Sequence, residues 1–182
     1  MQPIKLLADV LENLTNPEHY LFSLRDISVI LPGHNAAAIK AVVGRAVQNG
    51  LLSRVCRGLF LYPKVDYPAG LVLYHAAAQL RANEFNYISL ESVLSDAGVI
   101  SQIPLNWITL MSSGRSYITN CGSFGHIEFI HTKKYPTNIE TNITYDPRCR
   151  LWRASVALAL RDMTLTGRNT NLVDREVARE FV

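Results

Sequence analysis

The sequence predicts an α+β chain in two parts, and three observations lead there. Residues 35–50 carry apolar positions at helical spacing and run straight into a hairpin pattern at 51–62. Pro63 and Pro68 bracket a stretch with the composition of a linker. Beyond it, short segments rich in Ile, Tyr, Thr and Phe recur between 106 and 131. The expected organisation is an N-terminal domain over residues 1–66 and a mixed α/β C-terminal domain over 67–182 with a small, mostly antiparallel sheet.

Pro3 opens a first helix whose stripe is Leu6, Leu7, Val10, Leu11 and Leu14, and Thr15-Asn16-Pro17 ends it. Ser23 caps a shorter helix over 24–30, broken by Leu31-Pro32-Gly33. Asn35 caps the third, in which Ile39, Val42, Val43, Ala46 and Val47 form one face before Gly50 stops it. Leu51 to Cys56 and Leu59 to Tyr62 read as the arms of a hairpin about Arg57-Gly58, closed by Pro63. Helix, helix, turn, helix, hairpin is the order of a winged helix-turn-helix.

With Ile39, Val43 and Val47 turned inward, His34, Asn35, Ala37, Lys40, Ala41, Gly44, Arg45 and Gln48 face solvent or a ligand. Small Ala37, Ala41 and Gly44 would let the helix approach the floor of a major groove, and Lys40 and Arg45 offer charge to phosphates or guanine edges. Gly44 costs about 1 kcal/mol relative to alanine in mid-helix, which close approach to DNA or close packing against another helix would compensate. Arg54, Arg57 and Lys64 on the hairpin complete the candidate DNA-binding set of His34, Asn35, Ala37, Lys40, Arg45, Gln48, Arg54, Arg57 and Lys64. A merely solvated helix with two cations is the plainer reading of the helix alone.

In the second part, Ala69 to Leu80 reads as an apolar helix, with His75 as a satisfied core or boundary residue. Ser89 is the expected N-cap of a helix over 90–97 that Gly98 ends. Residues 106–111, 116–119 and 126–131 are the expected strands, joined by turns at 112–116 and 120–123. From Asp146 onward a helix is expected again, with Leu151, Trp152, Val156, Leu158 and Met163 on its apolar face. A last short helix starts at Asp174.

Composition sets limits. A hydrophobic content of 48% with 18% charged residues is that of a folded chain, and the net charge of +3 is too small to identify a nucleic-acid binder by itself. Residues 1–67 hold seven Lys/Arg against five Asp/Glu. Without a long apolar run or a signal-peptide pattern, the expectation is a cytoplasmic protein that does not enter a membrane. Cys56, Cys121 and Cys149 are odd in number and far apart, as buried reduced thiols would be. Ser112-Ser113-Gly114-Arg115 lacks a Walker lysine, and His126 and His131, five apart on one strand, point to opposite faces. The expectation is therefore a non-enzyme with no catalytic residue, no cofactor and no metal.

Three stretches are similar to a known family. They are Arg54-Val55-Cys56-Arg57-Gly58-Leu59-Phe60-Leu61-Tyr62-Pro63; Tyr87-Ile88-Ser89-Leu90-Glu91-Ser92-Val93-Leu94 with Gly98-Val99-Ile100 and Pro104; and Ile108-Thr109-Leu110, Gly114-Arg115-Ser116 and Phe124-Gly125 up to Lys133-Lys134. Over roughly residues 5–165 the chain resembles the AbiEi-type antitoxins and transcriptional regulators of type IV toxin–antitoxin systems. The resemblance implies an N-terminal winged domain that represses its own promoter, and a C-terminal domain that counters a co-encoded nucleotidyltransferase-like toxin or protects its target. Arg115, Lys133 and Lys134 are the basic groups expected on that second surface. A winged-helix protein-interaction adaptor, binding neither DNA nor toxin, stays open beside it.

Overall fold

The structure of the protein is a computed structural model that describes residues 2–101 and 105–182, so Pro104 of the second similar stretch lies outside it. The fold is α+β, and the chain divides into two compact units, one up to Val72 and one from Leu73. No helix among the described residues is long and apolar enough to cross a membrane.

In the first unit, α1 (Pro3–Leu14), α2 (Leu24–Ile30) and α3 (Ala36–Gln48) pack against one another. Leu7 and Leu11 of α1, Ile27 of α2 and Ile39, Val42, Val43 and Ala46 of α3 meet in one core with Phe22, Leu52 and Phe60. Val47, expected in that core, is only half-buried, because the buried positions follow 39, 42, 43 and 46. Ser23 caps α2 through a reciprocal pair: its Oγ accepts from Asp26 N–H, and the Asp26 carboxylate accepts from Ser23 N–H at 2.7 Å. Asn35 Oδ1 accepts from Ala38 N–H at 2.9 Å and caps α3.

Besides capping α2, Ser23 also ends a strand absent from the sequence expectation, β1 (Leu21–Ser23). It pairs antiparallel with β3 (Leu59–Leu61), which in turn pairs with β2 (Ser53–Cys56), so the hairpin is the free side of a three-stranded sheet in the order β1-β3-β2. Gly58 sits at the hairpin tip with φ +80°, where a side chain would be strained.

The second unit runs α4 (Val72–Leu80), β4 (Asn86–Ile88), α5 (Glu91–Asp96), β5 (Trp107–Ser112), β6 (Tyr117–Asn120), β7 (His126–His131), α6 (Pro136–Ile139), β8 (Ile143–Asp146), β9 (Leu151–Ala154), α7 (Val156–Leu165) and α8 (Arg175–Ala178). Its sheet is larger and more mixed than expected, six strands in the order β6-β7-β5-β4-β9-β8. β5 with β7 and β4 with β9 are parallel, and the other three pairings are antiparallel.

Two expectations fail here. The helix expected from residue 151 is instead strand β9, paired with the unexpected β8. Arg150, at φ +58°, turns the chain into it, and a helix begins only after Ser155, whose Oγ accepts from Leu158 N–H. Ser89 is not the cap of α5 either. Leu90 takes that position at φ 56°, and the Ser89 hydroxyl is drawn to Asp162 of α7 at 2.7 Å.

Asp162 is wholly buried, and its carboxylate accepts from Ser89 Oγ, Tyr87 Oη at 3.1 Å and the ammonium of Lys134. That set ties α7 to the end of β4 and to the segment after β7. Burial also accounts for the thiols and for His75. All three cysteines are buried and in no disulfide, and desolvation together with the Asp146 carboxylate pushes Cys149 up to about 11. His75 donates from Nε2 to the Arg148 carbonyl at 2.7 Å, and burial lowers its pKa.

Asp162→Ala leaves two buried hydroxyl donors and a half-buried ammonium around an empty site and is expected to cost about 3–5 kcal/mol in urea unfolding. Asp162→Asn, which still offers an acceptor to Ser89, should cost less. A loss below about 1 kcal/mol for alanine would show that the pair makes no net contribution. His75 is held neutral, so the unfolded chain binds its proton first. Its contribution is present above about pH 6.5 and is lost as pH falls below that value. The stability difference between the native chain and His75→Gln should shrink from about pH 7.5 to about pH 5, and a constant difference would contradict the assignment.

Candidate nucleic-acid interface

Between Asp26 and Asp66 the chain has no acidic residue, yet it carries Lys40, Arg45, Arg54, Arg57 and Lys64. All five are exposed, and none forms an ion pair among the described residues. In the second unit Lys134, Arg153 and Arg168 each lie against carboxylates. What sets α3 and the β2–β3 hairpin apart is a run of exposed cations in a segment without an acid, and that run creates an anion-attracting surface.

Packing of α3 decides which residues reach that surface. His34, Asn35, Ala37, Lys40, Ala41, Gly44, Arg45 and Gln48 are all exposed. Asn35 is nevertheless occupied as the helix cap, and His34 Nδ1 lies 3.4 Å from the Pro32 carbonyl. The fold brings Lys40 from α3 together with Arg54 and Arg57 from the hairpin along one groove of ≈ 740 Å³. Arg45, Gln48 and Lys64 are exposed but do not line it.

Sequence reasoning missed the other half of this groove. Its apolar lining comes from Leu24, Val43, Val47 and Phe60, with Gly44 and Gly58 completing the walls. Arg54 is held with its guanidinium 5.8 Å from the centre of the Phe60 ring, within cation–π range. Val43 and Val47 read from sequence simply as core-facing, and only the juxtaposition of helix and hairpin shows that each also lines the groove.

Gly44 is the informative position. A Cβ built there meets nothing within 4 Å, so packing against another helix does not explain this glycine.

On the second unit the three expected basic residues separate. Arg115 and Lys133 are exposed, and the Arg115 carbonyl is fixed by the Arg81 guanidinium at 2.6 Å. Lys134 is half-buried and paired with Asp162, which corrects the expectation of an exposed, available cation. It lines a cleft of ≈ 400 Å³ with Lys133, His131, Asn138 and Thr166.

The chain matches no model of a known protein family, and no characterised protein sequence matches it either. The chemistry of the groove and its surroundings therefore carries the functional reading.

Gly44→Ala should raise stability by about 0.5–1 kcal/mol, since the helix gains propensity and the new methyl finds open space. Thermal or urea unfolding of the full chain measures this, and destabilisation would mean that Gly44 has an intramolecular role.

Proposed function

We propose that this chain is a DNA-binding transcriptional regulator whose first unit acts as a winged helix-turn-helix, with α3 entering the major groove and the β2–β3 hairpin lying on the flanking backbone. The observation that carries the reading is the convergence of Lys40, Arg54 and Arg57 from helix and hairpin inside a segment without a single acid. Cations that meet no carboxylate in their own chain are available to phosphates, and the counterions that DNA sheds on meeting them would drive binding. Arg45 and Gln48, exposed on α3 beyond the groove, would meet base edges in this reading.

The resemblance to AbiEi-type antitoxins extends this proposal. The target is then double-stranded DNA at the chain's own promoter, the setting is the cytoplasm, and the second unit counters a co-encoded nucleotidyltransferase-like toxin, by touching it or by covering its target. Arg115 and Lys133 are the exposed cations for that role, and Lys134 serves instead to hold the segment after β7 against α7.

Binding of the full chain to the DNA upstream of its gene and to random duplex, each at two salt concentrations, tests the first part. Arg57→Ala should weaken both duplexes alike and reduce the salt slope by about one. If Arg45 or Lys40 reads a base edge, its replacement by alanine should cost about 1–3 kcal/mol, mainly on the cognate duplex. Salt-insensitive behaviour, or unchanged binding in all three variants, would favour the protein-binding adaptor. For the second part, Arg115→Ala with Lys133→Ala should abolish rescue from the neighbouring toxin while promoter binding persists. Full rescue by that variant would remove those two residues from the role.

A further inference from the structure

DNA binding accounts for the cations around the α3–hairpin groove but not for its lining. A duplex presents phosphates and polar sugar edges at its surface, for which positive charge suffices. The recess behind Lys40, Arg54 and Arg57 is instead apolar, made of Leu24, Val43, Val47 and Phe60. Its ≈ 740 Å³ falls in the size range of sites that hold small molecules, and such sites combine apolar walls with a few charged groups that orient the ligand.

Charge complementarity selects the occupant. Among the described residues, the only charged side chains lining the groove are the three cations, so a cationic ligand is repelled and a neutral one leaves them without a counter-charge. We infer that the groove between α3 and the β2–β3 hairpin binds an elongated apolar carboxylate, with its chain along Leu24, Val43, Val47 and Phe60 and its head among Lys40, Arg54 and Arg57. Gly44 supports the same picture, because its missing side chain leaves open the space that a chain lying against α3 would need. A consequence rests on the proposed DNA-binding reading. Ligand and DNA draw on the same three cations, so each excludes the other, and the carboxylate acts as a releasing effector.

Dodecanoate, kept below its micellar concentration, is the probe. Titrated into the full chain, it should bind saturably and shift amide resonances centred on Gly44, Gly58 and Phe60. Dodecylammonium should not bind. Shortening to decanoate should weaken binding roughly fourfold for each methylene that loses its place against the wall. Gly44→Leu puts a side chain into the groove at an ordinary helical backbone position where its Cβ meets nothing within 4 Å, and circular dichroism checks that the variant is folded. It should reduce affinity by about tenfold or more, and Arg54→Gln with Arg57→Gln should do likewise.

Absence of saturable binding, equal binding of dodecylammonium, or full affinity in Gly44→Leu overturns the site. The DNA arm separates the two readings. Displacement of bound duplex by dodecanoate supports both. Dodecanoate binding in a chain that binds no duplex upholds the site while the regulator reading fails. Duplex and dodecanoate bound together without mutual effect overturns the releasing role.

Discussion

Burial of Ile39, Val42, Val43 and Ala46 sets the rotation of α3, and everything that the first unit can present to a partner depends on that rotation. Each large side chain in the set contributes about 1.5–3 kcal/mol when removed from water. A turn of the helix by one residue would carry Lys40 into the core, where an unpaired ammonium costs far more than any surface interaction could return. The helix therefore has one stable setting. In that setting Lys40 faces the hairpin, Arg45 and Gln48 face outward, and Gly44 lies at the wall of the groove.

The hairpin needs its own support, and β1 supplies it. A two-stranded hairpin is marginal in water, whereas β3 is paired on both sides, by β1 and by β2. The same short segment ends in Ser23, the cap of α2, so one stretch of chain fixes both the sheet and the start of a helix. Arg54 and Arg57 thus project from a braced strand and its turn, not from a loose loop.

Charge braces part of the second unit. Three sets of ion pairs are structural there: Asp162 takes donors from the end of β4 and from the segment after β7, Arg153 joins Asp96 and Asp146, and Arg168 joins Glu91 and Glu128. In the first, Lys40, Arg45, Arg54, Arg57 and Lys64 stabilise nothing through ion pairing among the described residues, and the three on the groove repel one another across it. Such an arrangement gains when an anion arrives, which is the physical basis for proposing both a polyanionic partner and an apolar carboxylate there.

What the sequence by itself determined is what depends on neighbours in the chain. Ser23, Asn35 and Asp174 mark helix starts because capping is satisfied within a few residues, Pro3 marks another because its fixed φ suits a first helical turn, and Arg57-Gly58 marks the hairpin because a tight turn is equally local. The exposed cations of α3 were legible for the same reason, since helical period alone assigns faces. The tertiary structure decided whatever required a distant partner. Leu21–Ser23 is too short to show a period and is a strand only because Leu59–Leu61 lies beside it. Leu151–Ala154 continues an apolar pattern into α7 on paper, but pairing with β4 and β8 makes it extended. Ser89 is drawn from the capping role expected of it by a carboxylate 73 residues away, and Lys134 is withdrawn from the surface by the same group. The apolar wall of the groove belongs with these, because no spacing along one chain states which residues of a helix and a hairpin will face each other across a gap.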